Sequence, residues 1–383
     1  MKINTKTTLI AILTAFLMII SAEGFAQFKV SGYFQGQFQY GMKDAKLKTG
    51  SANEDNEHSF NRFGVRRGRM KATYAKDWAS AVFQLDITEK GLGLKDAYLA
   101  IDEPYLGIAT LKVGVFDRPF GYEVGYSSSK RESPERASVI QTLMPEERDL
   151  GVMIALHAPK GTALDFIKME FGLFAGNGIK SETDSRKDFI GRLRADKAVS
   201  ERWKLGGGVS YYNGRVWKGE NEYILREYIG ADFQIEHTDK RFGSTKINFE
   251  IIAGKQPGNK DDNKSPNSSS LPADGYYDRS RSLLGGYVML VQDLGRLPLS
   301  LVVKFDAFDP NTKISGNEVG LNQSGKADVS YRNLGFGMLW NITDNLRLQA
   351  FYDWNNNEKT ENLNGFTADK KDDVFTLRLQ YKF

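Results

Sequence analysis

Arg66-Arg67-Gly68-Arg69-Met70-Lys71 is a dense run of permanent positive charge. On an extended backbone Arg67, Arg69 and Lys71 share one face, although a bulge in this run could reverse which arginines face inward, and guanidinium and ammonium groups so aligned attract anions rather than perform covalent chemistry. A second basic group, Arg118, Lys130, Arg131, Arg136 and Arg148, falls in one stretch with Glu132, Glu135, Glu146 and Glu147. That stretch can form a cationic constriction or a set of surface salt bridges, and the residues alone allow both. Covalent chemistry is poorly supplied. The chain has no Cys and only His58, His157 and His237, so neither a clustered zinc set nor a His-based triad is expected. We therefore expect no enzyme, no metal site and no cofactor. Glu54, Asp55 and Glu57, and Asp261, Asp262, Asp274 and Asp278, lack the spacing of an EF-hand and read as solvated loops. Gly206-Gly207-Gly208 lies inside an extended segment and is not a phosphate-cradling turn. A net charge of +4 gives no reason to expect a nucleic-acid partner.

The elements that must carry these charges alternate with period two. In the last nine residues Phe375, Leu377, Leu379, Tyr381 and Phe383 fall on one face, and Thr376, Arg378, Gln380 and Lys382 on the other. This is the lipid-out, water-in pattern of a transmembrane β-barrel strand. Similar segments are expected at 28–40, 61–75, 78–88, 94–102, 109–116, 150–157, 165–175 and 187–196. They continue at 203–212, 223–236, 245–255, 279–291, 297–308, 326–340, 346–354 and 373–383. The fold class expected is all-β, a closed antiparallel barrel of about 16 strands, a size that keeps an aqueous interior. The domain follows a signal: Lys2 and Lys6, an apolar run at 9–20 and small residues at Gly24 and Ala26 predict a cleaved secretory peptide over 1–26. Residues 27–383 are then the barrel, in the outer membrane of a Gram-negative bacterium.

Connections alternate in length. Short joints at 76–77, 103–107, 158–164, 197–202, 237–244, 292–296 and 341–345 predict a periplasmic rim. The polar connections 41–60, 117–149, 176–186, 213–222, 256–278, 309–325 and 355–372 predict an external one, with 89–93 the tight exception. Tyr74, Trp78, Trp203, Trp340, Tyr381 and Phe383 near the short joints, and Tyr40, Phe116, Phe174, Tyr212 and Trp354 near the long ones, predict two interfacial belts.

Parity sends Arg67, Arg69, Lys71, Lys112, Lys168, Arg192, Arg194, Arg226, Lys246, Lys304, Arg347, Arg378 and Lys382 into the lumen. It also sends Asp86, Asp96, Asp102, Glu170, Asp196, Asp232, Glu236, Glu250, Asp306 and Asp353 there. Basic groups lead only slightly, which predicts mild anion preference. The connection at 117–149 is long enough to fold inward and narrow the channel.

Phe63-Gly-Val-Arg-Arg-Gly-Arg-Met-Lys71, Phe83-Gln-Leu-Asp86, Lys95-Asp-Ala-Tyr-Leu99, Val113-Gly-Val-Phe-Asp-Arg-Pro-Phe120, Arg148-Asp-Leu-Gly151, Gly172-Leu-Phe-Ala-Gly-Asn-Gly178 and Gly191-Arg-Leu-Arg194 together resemble the phosphate-selective porin O and P family. The resemblance implies a sixteen-stranded, homotrimeric outer-membrane channel for small anions, with outer-membrane lipid around it. The carboxylates among the lumenal cations argue against tight phosphate selectivity. The alternative is a plugged or narrow barrel that acts as a surface binding or adhesion protein.

Overall fold

The computed structural model describes residues 27–55 and 57–383, so the expected signal over 1–26 lies outside the described residues. The alternating segments form sixteen strands: β1 (Gln27–Gly41), β2 (Phe60–Lys76), β3 (Ala79–Thr88), β4 (Gly91–Asp102), β5 (Ala109–Asp117), β6 (Arg148–His157), β7 (Ile167–Phe174) and β8 (Asp188–Ala198) make the first half. The second half is β9 (Trp203–Gly219), β10 (Glu222–Asp239), β11 (Gly243–Gly258), β12 (Arg279–Asp293), β13 (Leu299–Asp309), β14 (Tyr331–Asn341), β15 (Leu346–Asn357) and β16 (Val374–Lys382). Each pairs antiparallel with its chain neighbours, and β16 returns to β1, so the sheet is a closed barrel. At the seam Gly32 and Phe383 exchange backbone hydrogen bonds of 3.0 Å. Closure leaves no strand edge, which is what lets a sheet cross hydrocarbon.

Burial is inverted relative to a water-soluble sheet. Phe34, Met70, Phe83, Leu99, Val113, Leu193, Ile229, Phe249, Val303, Phe336 and Leu379 are exposed on the outside, while Gln35, Gln37, Gln39, Arg67, Asp232, Asn248, Arg378 and Gln380 are buried inside. A continuous apolar exterior around a polar interior is stable only in lipid. Among the described residues no helix is long and apolar enough to cross a membrane. Tyr74, Trp78, Trp203, Trp340, Tyr381 and Phe383 are exposed at the short-turn rim.

Two expectations about the external rim change. The loop expected at 213–222 is absent: β9 and β10 run on and meet in a two-residue turn at Glu220-Asn221, both at positive φ (46° and 64°). A turn of that handedness matches strand twist, so the hairpin can continue beyond the expected loop. The segment expected to start a strand at 326 is instead a 3₁₀ turn, Lys326–Asp328, and β14 begins at Tyr331. Arg281 on β12 holds it there through a hydrogen bond of 2.5 Å to Asp328.

Candidate functional site

The lumen is occupied by the third connection of the external rim, residues 118–147, whose middle forms a short helix, α1 (Ser138–Leu143). Apolar packing fixes one side of it. Val139, Ile140 and Leu143 are buried against the inner wall, and Phe120 meets Tyr212 and Tyr228 with ring centroids 6.5 and 6.3 Å away. Gly285 on β12 makes room, because a Cβ there would stand 2.8 Å from Val139 Cβ. Phe116, Phe174 and Tyr212, expected in the outer aromatic belt, belong to this inner cluster and are at most 2% exposed. They share strand parity with Lys112, Glu170 and Ser210. A barrel that holds a loop inside needs an apolar patch on its inner wall, and these rings supply it.

Charge fixes the other side. The Glu135 carboxylate accepts from Arg66 Nε and Nη2 at 2.8 and 2.7 Å, from Arg378 Nη2 at 3.0 Å and from Arg67 Nη2 at 3.5 Å. Arg66 and Arg67 both reach it because β2 is bulged: Gln35 opposes Arg67 and Gly36 opposes Val65, which leaves Arg66 as the extra residue. Glu147 pairs with Arg136 and, at 3.0 Å, with Arg148. Lys304 Nζ lies 3.0 Å from Glu123, and Asp306 accepts from the Ser138 backbone and hydroxyl at 2.8 and 2.9 Å. Loop carbonyls are bound as well: Arg347 donates to that of Arg131 at 3.0 Å, Arg378 to Pro134 at 2.9 Å and Gln380 to Ser129 at 3.0 Å.

The loop divides the lumen. An outer cavity of about 1100 Å³ and an inner one of about 640 Å³ share Arg69 and Arg136 in their linings. Arg69 lies 3.3 Å from Asp86 and donates to Ser128 at 3.1 Å, while Arg136 donates to the carbonyls of Glu123 and Val124 at 2.8 and 3.1 Å. Arg69 and Arg136 therefore stand between the two cavities, held in place by neighbouring acceptors. The outer cavity is charge-balanced: Lys46, Lys48, Arg66, Arg67, Lys95, Lys264, Lys304, Lys326 and Lys370 face Asp44, Asp86, Glu135, Glu146, Glu147, Asp261, Asp262, Asp306, Asp353 and Asp372. The lining of the inner cavity is not: Lys71, Lys112, Arg118, Arg148, Arg192, Arg194 and Lys382 outnumber Asp96, Asp117 and Glu170, and although Asp149, Asp232 and Asp196 outside the lining pair with Arg118, Arg192 and Arg194, Lys71, Lys112 and Lys382 make no ion pair among the described residues. At the outer mouth burial pushes the Asp372 carboxyl up to about 6, helped by the charges of Asp369 and Asp373.

The expected residues divide by position. Arg67, Arg69, Lys71, Lys112, Arg118, Arg136, Arg192 and Arg194 line one cavity or the other. Arg118 and Arg192 are committed to Asp149 and Asp232, each at 2.9 Å. Lys130 is exposed, and Arg347 spends its donors on the loop. Arg131 and Arg226 are buried, Arg226 against Asp188 with its guanidinium 5.2 Å from the Tyr212 ring centroid. Sequence reasoning missed Arg66, whose inward turn depends on the bulge, and Glu135 as the hub that gathers Arg66, Arg67 and Arg378. Among the described residues no group of three His, Asp or Glu side chains is placed to hold a metal ion.

A closed barrel of sixteen strands, apolar outside and narrowed by an inward third loop, now stands beside solved structures. The fold is that of an outer-membrane porin. The outer membrane channel DcaP of Acinetobacter baumannii superposes with a TM-score of 0.59 at 13% identity, over 94% of this chain and 99% of that one. The anion-selective porin from Comamonas acidovorans gives 0.59 at 12%, over 94% and 100%. OmpT of Vibrio cholerae in its trimer form gives 0.55 at 10%, over 94% and 99%. No family model matches the chain, and no curated protein matches it.

Proposed function

We propose that the protein is a porin for passive diffusion of small hydrophilic solutes, with a mild preference for anions. The observation that carries this is the uneven charge of the two linings: basic and acidic groups are balanced in the outer cavity, whereas Lys71, Lys112 and Lys382 of the inner one make no ion pair among the described residues. Fixed charge at pore dimensions raises the local concentration of counter-ions, so permeant anions collect on the inner side. Arg67, Arg69, Lys71, Lys112, Arg136, Arg192 and Arg194 are the proposed lining, and the named anion selectivity of the Comamonas porin agrees with this reading.

Phosphate is not expected to be retained. Tight oxyanion binding needs several guanidinium forks without competing carboxylates, whereas Arg66, Arg67 and Arg378 converge on Glu135. A homotrimer is proposed as well, in keeping with the trimer form described for OmpT of Vibrio cholerae. The test is a planar bilayer under a KCl gradient. A reversal potential on the chloride side is expected, and a cation-side potential overturns the anion preference. Absence of any conductance would favour a plugged barrel used for surface binding.

A further inference from the structure

The inner cavity carries more than charge. Tyr122 and Tyr126 of the third loop stack with centroids 5.0 Å apart and planes at 24°, and both rings line the cavity. The Tyr126 hydroxyl donates to Glu132 at 3.0 Å, which fixes that ring. Tyr98 and Phe116 line the same space, and the Lys112 ammonium lies 5.3 Å from the first ring centroid and 6.0 Å from the second. Its arginines are largely committed: Arg69 to Asp86, Arg148 to Asp96 and Arg192 to Asp232. Among the described residues Lys71, Lys112 and Lys382 make no ion pair, and Glu170, the carboxylate whose charge acts on Lys112, is itself paired with Lys168 at 2.6 Å. The free cations are thus lysines, point charges that lack the fork suited to phosphate, and they share the cavity with aromatic surface.

We propose that this inner cavity is a transient binding site for organic anions with a planar, apolar body, of the size of a single-ring aromatic carboxylate. The inference rests on the channel reading and names the solute class. An inorganic anion gains only the field of the lysines, and a neutral ring gains only the tyrosine surface. A ring carboxylate gains both, since offset or edge-on contact with Tyr122 or Tyr98 adds to charge attraction from Lys71 and Lys112. A cavity of about 640 Å³ lies within the usual range for small-molecule sites.

Benzoate, acetate and benzyl alcohol are the probes, added to the wild-type channel in KCl and, separately, to the detergent-solubilised protein for saturation-transfer NMR. Benzoate is expected to reduce the chloride current at about one-tenth the acetate concentration and to show ring saturation transfer, while benzyl alcohol, lacking the charge, shows a weaker transfer and does not reduce the current. Tyr122→Leu should raise the blocking concentration of benzoate about fivefold with that of acetate unchanged, whereas Lys112→Gln should raise both. Equal block by benzoate and acetate, or equal binding of benzyl alcohol, overturns the proposal. Loss of chloride conductance alone counts against the channel reading, and the NMR arm still decides the site.

Discussion

Glu135 holds the channel's charge balance at the level of single residues. It sets one negative charge among Arg66, Arg67 and Arg378, all within 3.5 Å, and the pair to Arg66 is bidentate. Glu135→Gln keeps the shape and removes the charge, leaving three guanidinium groups without a counter-ion at the outer side of the constriction. Chloride selectivity should rise, read as a larger reversal potential in a KCl gradient. The same substitution should lower thermal stability, because an uncompensated buried charge typically costs about 3–5 kcal/mol and the adjoining cavity reduces that figure. Asp372 gives a separate pH response. Its carboxyl is raised to about 6 by burial and by Asp369 and Asp373, so it is charged at pH 7.5 and protonated at pH 5. Falling pH thus removes a negative charge from the outer cavity, and anion preference should increase between pH 7 and 5. The sign for stability agrees: an Asp with a raised folded pKa opposes folding when ionised, so protonation through this window stabilises. In Asp372→Asn the selectivity should lose its pH dependence over that interval.

At the level of elements the third loop is held by shape as much as by charge, and Gly285 is its tightest apolar seat. A side chain there would meet Val139 of α1 and Phe308, both at 2.8 Å. Gly285→Val should displace α1 at a cost of about 1–3 kcal/mol, since a packed contact does not absorb added methyl groups. Single-channel recording should show an altered and noisier conductance, and trypsin should cut the loop faster at its arginines. Strand existence was legible in the sequence because period two survives every local variation in hydrophobicity. Strand ends were less so, as at β9–β10, where two residues at positive φ replaced a long polar loop. Phe116, Phe174 and Tyr212 show why the lining was only half legible. Their parity with Lys112, Glu170 and Ser210 already points inward, but aromatic character near a rim suggests a lipid belt. What the alternation cannot state is that the inner wall itself carries an apolar patch, which depends on where a distant loop lands. Arg66 escaped for a related reason: one inserted residue changes facing locally, and nothing in the run Arg66-Arg67-Gly68-Arg69 marks which residue is extra.

For the whole molecule, closure governs assembly. β16 pairs with β1 over nine positions, from Tyr33 opposite Lys382 to Gly41 opposite Val374, and the Gly32–Phe383 hydrogen bonds complete the seam. It also pairs with β15, so its loss exposes two strand edges at once. In water such edges would be solvated, but in hydrocarbon each unpaired backbone group costs several kcal/mol, and a row of them exceeds the net stability of an ordinary domain. The lumen suffers too, because Arg378 and Gln380 hold the loop carbonyls of Pro134 and Ser129. Deleting Leu377–Phe383 should therefore abolish insertion rather than weaken it, leaving the chain in the periplasm or in aggregates. The readout is the electrophoretic shift between unheated and boiled samples of the membrane fraction, which a closed barrel shows and an unfolded chain does not. Replacing Leu377, Leu379 and Tyr381 together by Ser tests the same seam without removing its backbone. That variant should insert poorly yet close when it does, because it gives up lipid contact and keeps the hydrogen-bond ladder. A truncated chain that still showed the full heat-dependent shift would mean that fifteen strands can close without β16, against the pairing that joins the two ends of the sheet.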